Sequence, residues 1–366
     1  MQNVDKNTFL NIDLKALVKN YNLIKGKVNK HCIVGATVKA DAYGLGSNKI
    51  VSALVKENCN NFFVATTNEG LELRKINKNI SIFLLNGLVT KELDLIKKNK
   101  LIPVINNIKQ LKIIEKFQIR KKIKLSIALH FDTGMSRLGF DSNETEYLLK
   151  NKSQIIKSSK IALVMSHLAC ADDKKSKKNK IQLERFMKIK KYFPNTLFSL
   201  SNSAGILLGK EYHFDMVRPG ISLYGGHCRI NEKNIYENVV TLSAKLIQVR
   251  EIYKNDTIGY GATFKANAKM KIGTLPFGYA DGFNRLFSNN SCLFYKNKKI
   301  EIVGRISMDL VTVNLTKFAK YRNIENDEIQ IISKKYSIND ISKIINTIPY
   351  EILTNLGKRY QRRYIA

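Results

Sequence analysis

Over its first 220 residues the 366-residue chain alternates short apolar runs with amphipathic stretches, and this rhythm limits its fold more than any other feature. The runs cover residues 33–38, 62–65, 82–85, 102–105, 123–131, 161–166, 196–200 and 215–217. Each is short and nearly continuously apolar, as expected of a strand buried on both faces. Between them, residues 69–75, 91–98, 145–149 and 181–192 read as amphipathic helices. Ahead of the first run, Leu14, Leu17, Val18 and Tyr21 follow helical spacing, with Asp13 placed to cap that helix. Eight strands joined by helical crossovers predict an α/β fold, a (β/α)8 barrel. An open doubly wound sheet stays as the alternative, because periodicity does not show closure.

From about residue 235 the texture changes. A strand-like run at 239–250 precedes many short apolar pieces around Gly259, Gly278, Gly304 and Gly357, which predicts an all-β domain with tight turns. Asn231-Glu232-Lys233-Asn234 is the natural linker. The expected organisation is a barrel over 1–232 and a C-terminal β-domain over 233–366. Hydrophobic residues make up 44%, enough for cores of that size. No stretch reaches the roughly 18–20 apolar residues of a membrane span. Residues 1–11 are polar and lack an apolar signal segment, so a cytoplasmic protein with no membrane partner is expected.

The five cysteines are scattered without paired metal-ligand spacing, which predicts reduced structural thiols and no metal. The net charge of +32 raises nucleic-acid binding, but the lysines are spread along the whole chain. The one dense run, Lys174 to Lys180, has no aromatics between its lysines to stack bases. Nonspecific attraction to polyanions follows from that charge; a specific nucleic-acid role does not.

In a barrel of this kind the site lies at the C-terminal ends of the strands. The first strand ends at Lys39, followed by Ala40-Asp41-Ala42-Tyr43-Gly44-Leu45-Gly46. A desolvated lysine there is suited to Schiff-base and proton-transfer chemistry. The two glycines suit a loop that lets backbone approach a phosphate. Four more strand ends carry unusual polar residues: Asp132 to Arg137, Ser166-His167, Ser201-Asn202-Ser203, and Arg218-Pro219-Gly220.

The motifs V-K-A-D-A-Y-G (38–44), D-T-G-M-S-R-L-G-F (132–140), S-H-L (166–168), S-N-S-A (201–204), R-P-G-I-S-L-Y-G (218–225), G-Y-G-A-T-F (259–264), G-Y-A-D-G (278–282) and G-R-I-S-M-D-L (304–310) together resemble the alanine racemases. These are enzymes of a barrel plus a β-domain that use pyridoxal 5'-phosphate (PLP). The resemblance runs from about Ile12 to Tyr364. It implies that Lys39 binds PLP covalently and serves as one of two opposed bases. Tyr260, supplied by the partner of a homodimer, is the other. It implies that Tyr43, Ser203, Gly220 and Ile221 hold the phosphate, the last two through backbone N–H groups. Arg218 faces the pyridine nitrogen, and His167 links it to Tyr260. Arg137 contacts the cofactor and the substrate carboxylate, which also takes the backbone N–H of Met308. Tyr279 lines the entrance, and Asp309 orients its loop. The activity implied is interconversion of L- and D-alanine, supplying D-alanine for peptidoglycan.

Two departures stand out. His130 occupies the position where relatives carry a carbamylated lysine that buttresses the arginine. Lys358-Arg359-Tyr360-Gln361-Arg362 departs from Arg-Val-Pro-Arg, leaving Lys358 and Tyr360 both open as phosphate contacts. The competing readings are a broader racemase or decarboxylase of the same fold and a noncatalytic PLP carrier. An arginine that keeps its proton disfavours the decarboxylase, and a retained Tyr260 disfavours the carrier.

Overall fold

The computed structural model describes residues 7–151, 153 and 159–366, so the polar N-terminal stretch lies outside it as far as residue 6. The chain divides into two compact units. One spans residues 17–223 and 227–236; the other takes the described residues up to 16, with 224–226 and 237–366. The first strand, β1 (Thr8–Asp13), pairs within the second unit.

The first unit carries β2 (Ile33–Val34), β3 (Ala36–Thr37), β4 (Asn61–Val64), β5 (Ser81–Leu84), β6 (Ile102–Ile105), β7 (Ser126–His130), β8 (Lys160–Met165), β9 (Phe198–Ser199) and β10 (Met216–Val217). β3 through β9 are parallel neighbours in chain order, and β10 pairs in parallel with β2. β2 and β3 are halves of one expected strand, divided at Gly35. A Cβ at Gly35 would lie 2.9 Å from the Phe63 ring and 3.1 Å from the Asn61 carbonyl, so only glycine lets the strand pass here. The Asp215 N–H donates to Phe198 O (3.0 Å) and the Arg218 N–H to Ser201 O (2.9 Å), joining the last two strands. The circuit therefore closes as an eight-stranded barrel, and the open sheet is excluded.

The inside is filled from successive strands by Phe63, Phe83, Val104, Ala128, Leu163, Met165 and Met216, all buried. The Phe63 and Phe83 rings stack 4.7 Å apart. Local chemistry starts the crossover helices. Thr66 and Glu69 form a capping box on Thr67–Ile76, Asp141 and Glu144 form another on Ser142–Lys150, and Asn107 caps Ile108–Lys121. Asp13 Oδ1 accepts the Ala16 N–H at 2.9 Å, the cap expected from the sequence. No helix among the described residues is long and apolar enough to cross a membrane.

The second unit is strand-rich. It contains β11 (Val240–Lys245), β12 (Gln248–Ile252), β13 (Thr257–Ile258), β14 (Phe264–Lys265), β15 (Met270–Leu275), β16 (Cys292–Tyr295), β17 (Lys298–Glu301), β18 (Val311–Asn314), β19 (Glu328–Ile332) and β20 (Gln361–Ile365). Its main sheet runs β17-β16-β19-β11-β1-β20, with β1 antiparallel to β11 and parallel to β20. It is not purely β. Helices Ile338–Ile344 and Pro349–Thr354 form because Ser337 and Asp340 make a capping box, Pro349 opens the second helix, and Ile338, Ile341 and Leu353 bury an apolar side.

Truncating the fully buried Phe63 removes a ring stacked in the barrel interior. Phe63→Ala should lower the unfolding free energy by about 3–5 kcal/mol in urea titrations, against much less for Phe63→Leu.

Candidate active site

The end of the first barrel strand is built against the grain of L-amino acids. Ala40, Asp41, Ala42 and Tyr43 are all left-handed, with φ of 53°, 53°, 54° and 58°. Each such residue costs roughly 1–2 kcal/mol, so the turn must be held by its surroundings. Glu69 Oε1 accepts the Ala40 N–H at 2.7 Å, while Oε2 accepts the N–H of Ala65 (2.7 Å) and Thr66 (3.3 Å). Asp41 Oδ1 accepts the Ser47 N–H at 2.7 Å. Gly44 and Gly46, at φ of 82° and 92°, continue the loop as the sequence suggests, but four non-glycine residues begin it. The turn leaves the Lys39 amine half-buried, with no hydrogen-bond partner among the described residues. Burial and the nearby Arg137 lower its pKa, Glu69 acting the other way.

Arg218 is buried at the end of β10 and has no carboxylate partner among the described residues. Its guanidinium donates to Ser199 Oγ, to Ser166 O at 2.6 Å and to Leu200 O at 3.4 Å, and lies 5.9 Å from the centre of the Phe63 ring. It also meets His167 Nδ1 at 3.4 Å. The Asn202 amide nitrogen, whose Oδ1 accepts the Gly205 N–H, lies 3.4 Å from Nε2, so a donor faces each ring nitrogen. Burial, with Arg218 next, drives His167 well below the usual histidine range, keeping it neutral.

His130 is likewise neutral, its pKa lowered to about 3 by burial first and Arg218 second. Its partner is Asn106, not Arg137. Nδ1 lies 2.7 Å from Asn106 Oδ1, and the Asn106 amide nitrogen already donates to Leu85 O and Val104 O. Oδ1 is therefore an acceptor and His130 Nδ1 the donor. Arg137 sits on an exposed turn and makes no hydrogen bond or ion pair among the described residues. Asp132 Oδ1 shapes that turn by accepting the N–H groups of Gly134 and Met135, both at 2.8 Å. Gln182, fully buried, ties it to the neighbouring strand end through Thr133 Oγ1 (3.2 Å) and His167 O (2.9 Å).

The third element is a small cradle. Ser203 Oγ accepts from the Gly220 N–H (2.9 Å) and the Ser222 hydroxyl (2.9 Å), with the Ser222 N–H farther off at 3.3 Å, leaving its own proton to donate. The Tyr43 hydroxyl closes the other side, where a Cβ at Gly220 would lie 2.3 Å away. Ile221 opens the 3₁₀ turn Ile221–Tyr224. The segment after Ser203 forms a 3₁₀ turn, Gly205–Leu207.

Residues 12–228 match the family description "Alanine racemase, N-terminal domain", and residues 239–364 match "Alanine racemase, C-terminal domain". The chain belongs to the alanine racemase family. The alanine racemase of Rickettsia bellii is 45% identical over 92% of this chain and 82% of its own length. That of Rickettsia canadensis is 42% identical over 97% and 98%. Among solved structures, the alanine racemase from Bartonella henselae with covalently bound pyridoxal phosphate superposes with a TM-score of 0.94 at 35% identity, covering 99% of this chain and all of that one.

The family's remaining motifs lie in the strand-rich unit. Tyr260, on the turn Tyr260–Ala262, is 73% exposed, and Met308 is 53% exposed. The Tyr279 N–H donates to Ser307 O (3.2 Å) and the Ala280 N–H to Met308 O (3.1 Å), so the 278–282 and 307–310 loops run together. The Met308 N–H has no acceptor among the described residues. Tyr360 is buried beside Leu242, Phe283, Phe287 and Leu356 in this unit's own core. Lys358 stays exposed. Glu69, Asn106 and Gln182 escaped the sequence reading. Only Glu69 carried a signal, the Thr-x-x-Glu capping box.

The neutral histidines give a signed prediction. A histidine with a depressed folded pKa takes its proton first in the unfolded chain, so its destabilising effect is absent above about pH 6.5 and grows as pH falls toward 3. Stability should decline over that window, and His130→Gln should make the decline shallower by up to about 1.4 kcal/mol per pH unit. Urea midpoints between pH 7 and 4.5 check it.

Proposed function

We propose that the protein is a PLP-dependent racemase interconverting L-alanine and D-alanine. The barrel unit would hold the cofactor, and the strand-rich unit would supply the second base. The observation that carries this reading is Arg218, a buried cation that no carboxylate among the described residues pairs with. The residues present fit the cofactor. The Ser203, Gly220 and Tyr43 cradle, which a Cβ at Gly220 would fill, suits the phosphate, with the Ile221 N–H beside it. The Lys39 amine, unpartnered and of lowered pKa, suits covalent attachment.

PLP, once bound, supplies an electron sink for the Cα–H bond that is broken. The chain's own groups do the rest. Arg218, lowered to about 9 by burial, keeps its proton at neutral pH and donates a hydrogen bond to the ring nitrogen without protonating it. That restrains the sink and favours simple proton return over decarboxylation. Arg137 and the Met308 N–H of the partner subunit bind the substrate carboxylate. Lys39 moves a proton on one face of Cα, and Tyr260 of the partner subunit on the other. Neutral His167, beside Arg218, would link that cation to the phenolic oxygen, which helps a phenol of reference pKa near ~10 act as a base.

Assembly as a homodimer is part of the proposal. Tyr260, Tyr279, Leu286, Met308 and Leu310 are large apolar side chains left exposed on loops of the strand-rich unit. Such exposure is what a second copy related by a two-fold axis would cover. We infer a cytoplasmic location and a role in supplying D-alanine for peptidoglycan.

Borohydride should fix the cofactor to a Lys39 peptide and abolish activity. Tyr260→Phe should still exchange the α-proton of D-alanine with solvent deuterium, while exchange from L-alanine falls by ~10² or more. Equal losses from both enantiomers, or a chain that takes up no PLP, would overturn the assignment.

A further inference from the structure

Arg359 lies in the segment that departs from the family pattern, yet it bridges two carboxylates of the strand-rich unit. Its Nε and Nη2 donate to the two oxygens of Asp281, each at 2.7 Å, and its Nη1 donates to Asp309 Oδ1, also at 2.7 Å. The Asp281 side chain is 4% exposed, and its Oδ2 also accepts the Gly278 N–H at 3.0 Å. The Gly357 N–H donates to Asp281 O at 2.9 Å, docking the segment before Arg359 on the same loop. For Asp309, Arg359 is the one hydrogen-bond partner among the described residues.

These contacts close a ring. The peptide that carries the Met308 N–H has Ser307 O as its carbonyl, and that oxygen accepts from Tyr279. The next carbonyl, Met308 O, accepts from Ala280. Asp281 follows directly and is held by the fork of Arg359, whose remaining arm returns to Asp309 beside Met308. A Cβ at Gly278 would lie 2.2 Å from Ser307 O, so the two loops have no room to slide. Two peptide planes are thus pinned from one side by backbone and from the other by a planar guanidinium.

We propose that Arg359 is a positioning residue for substrate recognition. By bridging Asp281 and Asp309 it fixes the direction of the Met308 N–H that receives the substrate carboxylate. This rests on the racemase reading above. Arg359 touches no reacting atom, and its effect is on binding that is equal in ground and transition states, so KM moves and kcat does not.

Asp309→Ala is the cleanest test, because it cuts the exposed arm of the tie and leaves the buried Asp281–Arg359 pair. With the PLP-loaded enzyme, the KM for both enantiomers of alanine should rise roughly five- to tenfold with kcat within about twofold. The thermal midpoint should be unchanged. Arg359→Lys, which keeps a charge but cannot span both carboxylates, should show the same KM rise, and Asp309→Glu should recover part of it. Amide exchange of the 305–310 peptide should quicken in Asp309→Ala while that of β16 does not. An Asp309→Ala enzyme whose KM stays within twofold overturns the tie, as does one that loses thermal midpoint and kcat together at unchanged KM. A wild-type holoenzyme that racemises nothing overturns the functional reading, and this inference with it.

Discussion

The barrel mouth is organised around a cation with no counter-charge. Taking a guanidinium out of water costs several kcal/mol unless its donors are met, and Arg218 meets them with carbonyls, a hydroxyl and one imidazole nitrogen. None of these neutralises it. Burial first, and the Arg218 charge second, hold His167 and His130 in their neutral forms, and burial with Arg137 lowers the pKa of Lys39 in the same way. Lys39, Arg137 and Arg218 outnumber the nearby carboxylates of Glu69 and Asp132, whose oxygens are engaged by backbone N–H groups, and the histidines stay uncharged, so the mouth favours an anionic ligand. The phosphate cradle and the carboxylate contacts of the proposed reaction follow from that one imbalance.

Strain is the second constraint, and it is local. Four consecutive left-handed residues would unwind if left to themselves, because left-handed backbone suits glycine and, less well, asparagine. Glu69 does two jobs with one carboxylate. It completes the capping box of its helix and holds the Ala40 N–H across the loop. A helix start, normally a matter of neighbouring residues, is here also the brace that aims Lys39. The carboxylate helps keep the Lys39 amine from losing its charge too readily, since it opposes the effect of burial.

The legible parts of this molecule were those that sequence periodicity or motif spacing carries. The barrel strands and the helix cap at Asp13 are such features. What was illegible is non-local. Closure depends on Gly35 passing under Phe63, which no window of sequence contains. β1 looks like the lead-in to the barrel, yet it pairs with β11 across a sequence separation of 230 residues. The helices after residue 337 were hidden in a run of short apolar pieces that reads as strand. At the site, His130 was visible as a departure, but its partner Asn106 was not. An asparagine at a strand end is ordinary until the fold shows both its amide hydrogens already committed.

The two halves of the family's motif set are held by different physics. In the barrel the functional side chains are buried or half-buried, so packing and desolvation fix both their positions and their pKa values. In the strand-rich unit Tyr260 and Met308 stand in solvent, where no core can orient them. An exposed loop is stiffened only by backbone hydrogen bonds and by ion pairs, and most exposed ion pairs contribute little. Arg359 escapes that rule because one of its two carboxylates is buried and engaged through both oxygens. The buried end gives the pair its strength, and the exposed end passes that rigidity to Asp309. A loop can in this way be held in place before any partner covers it, which is what a shared site requires of the half that is offered to another subunit.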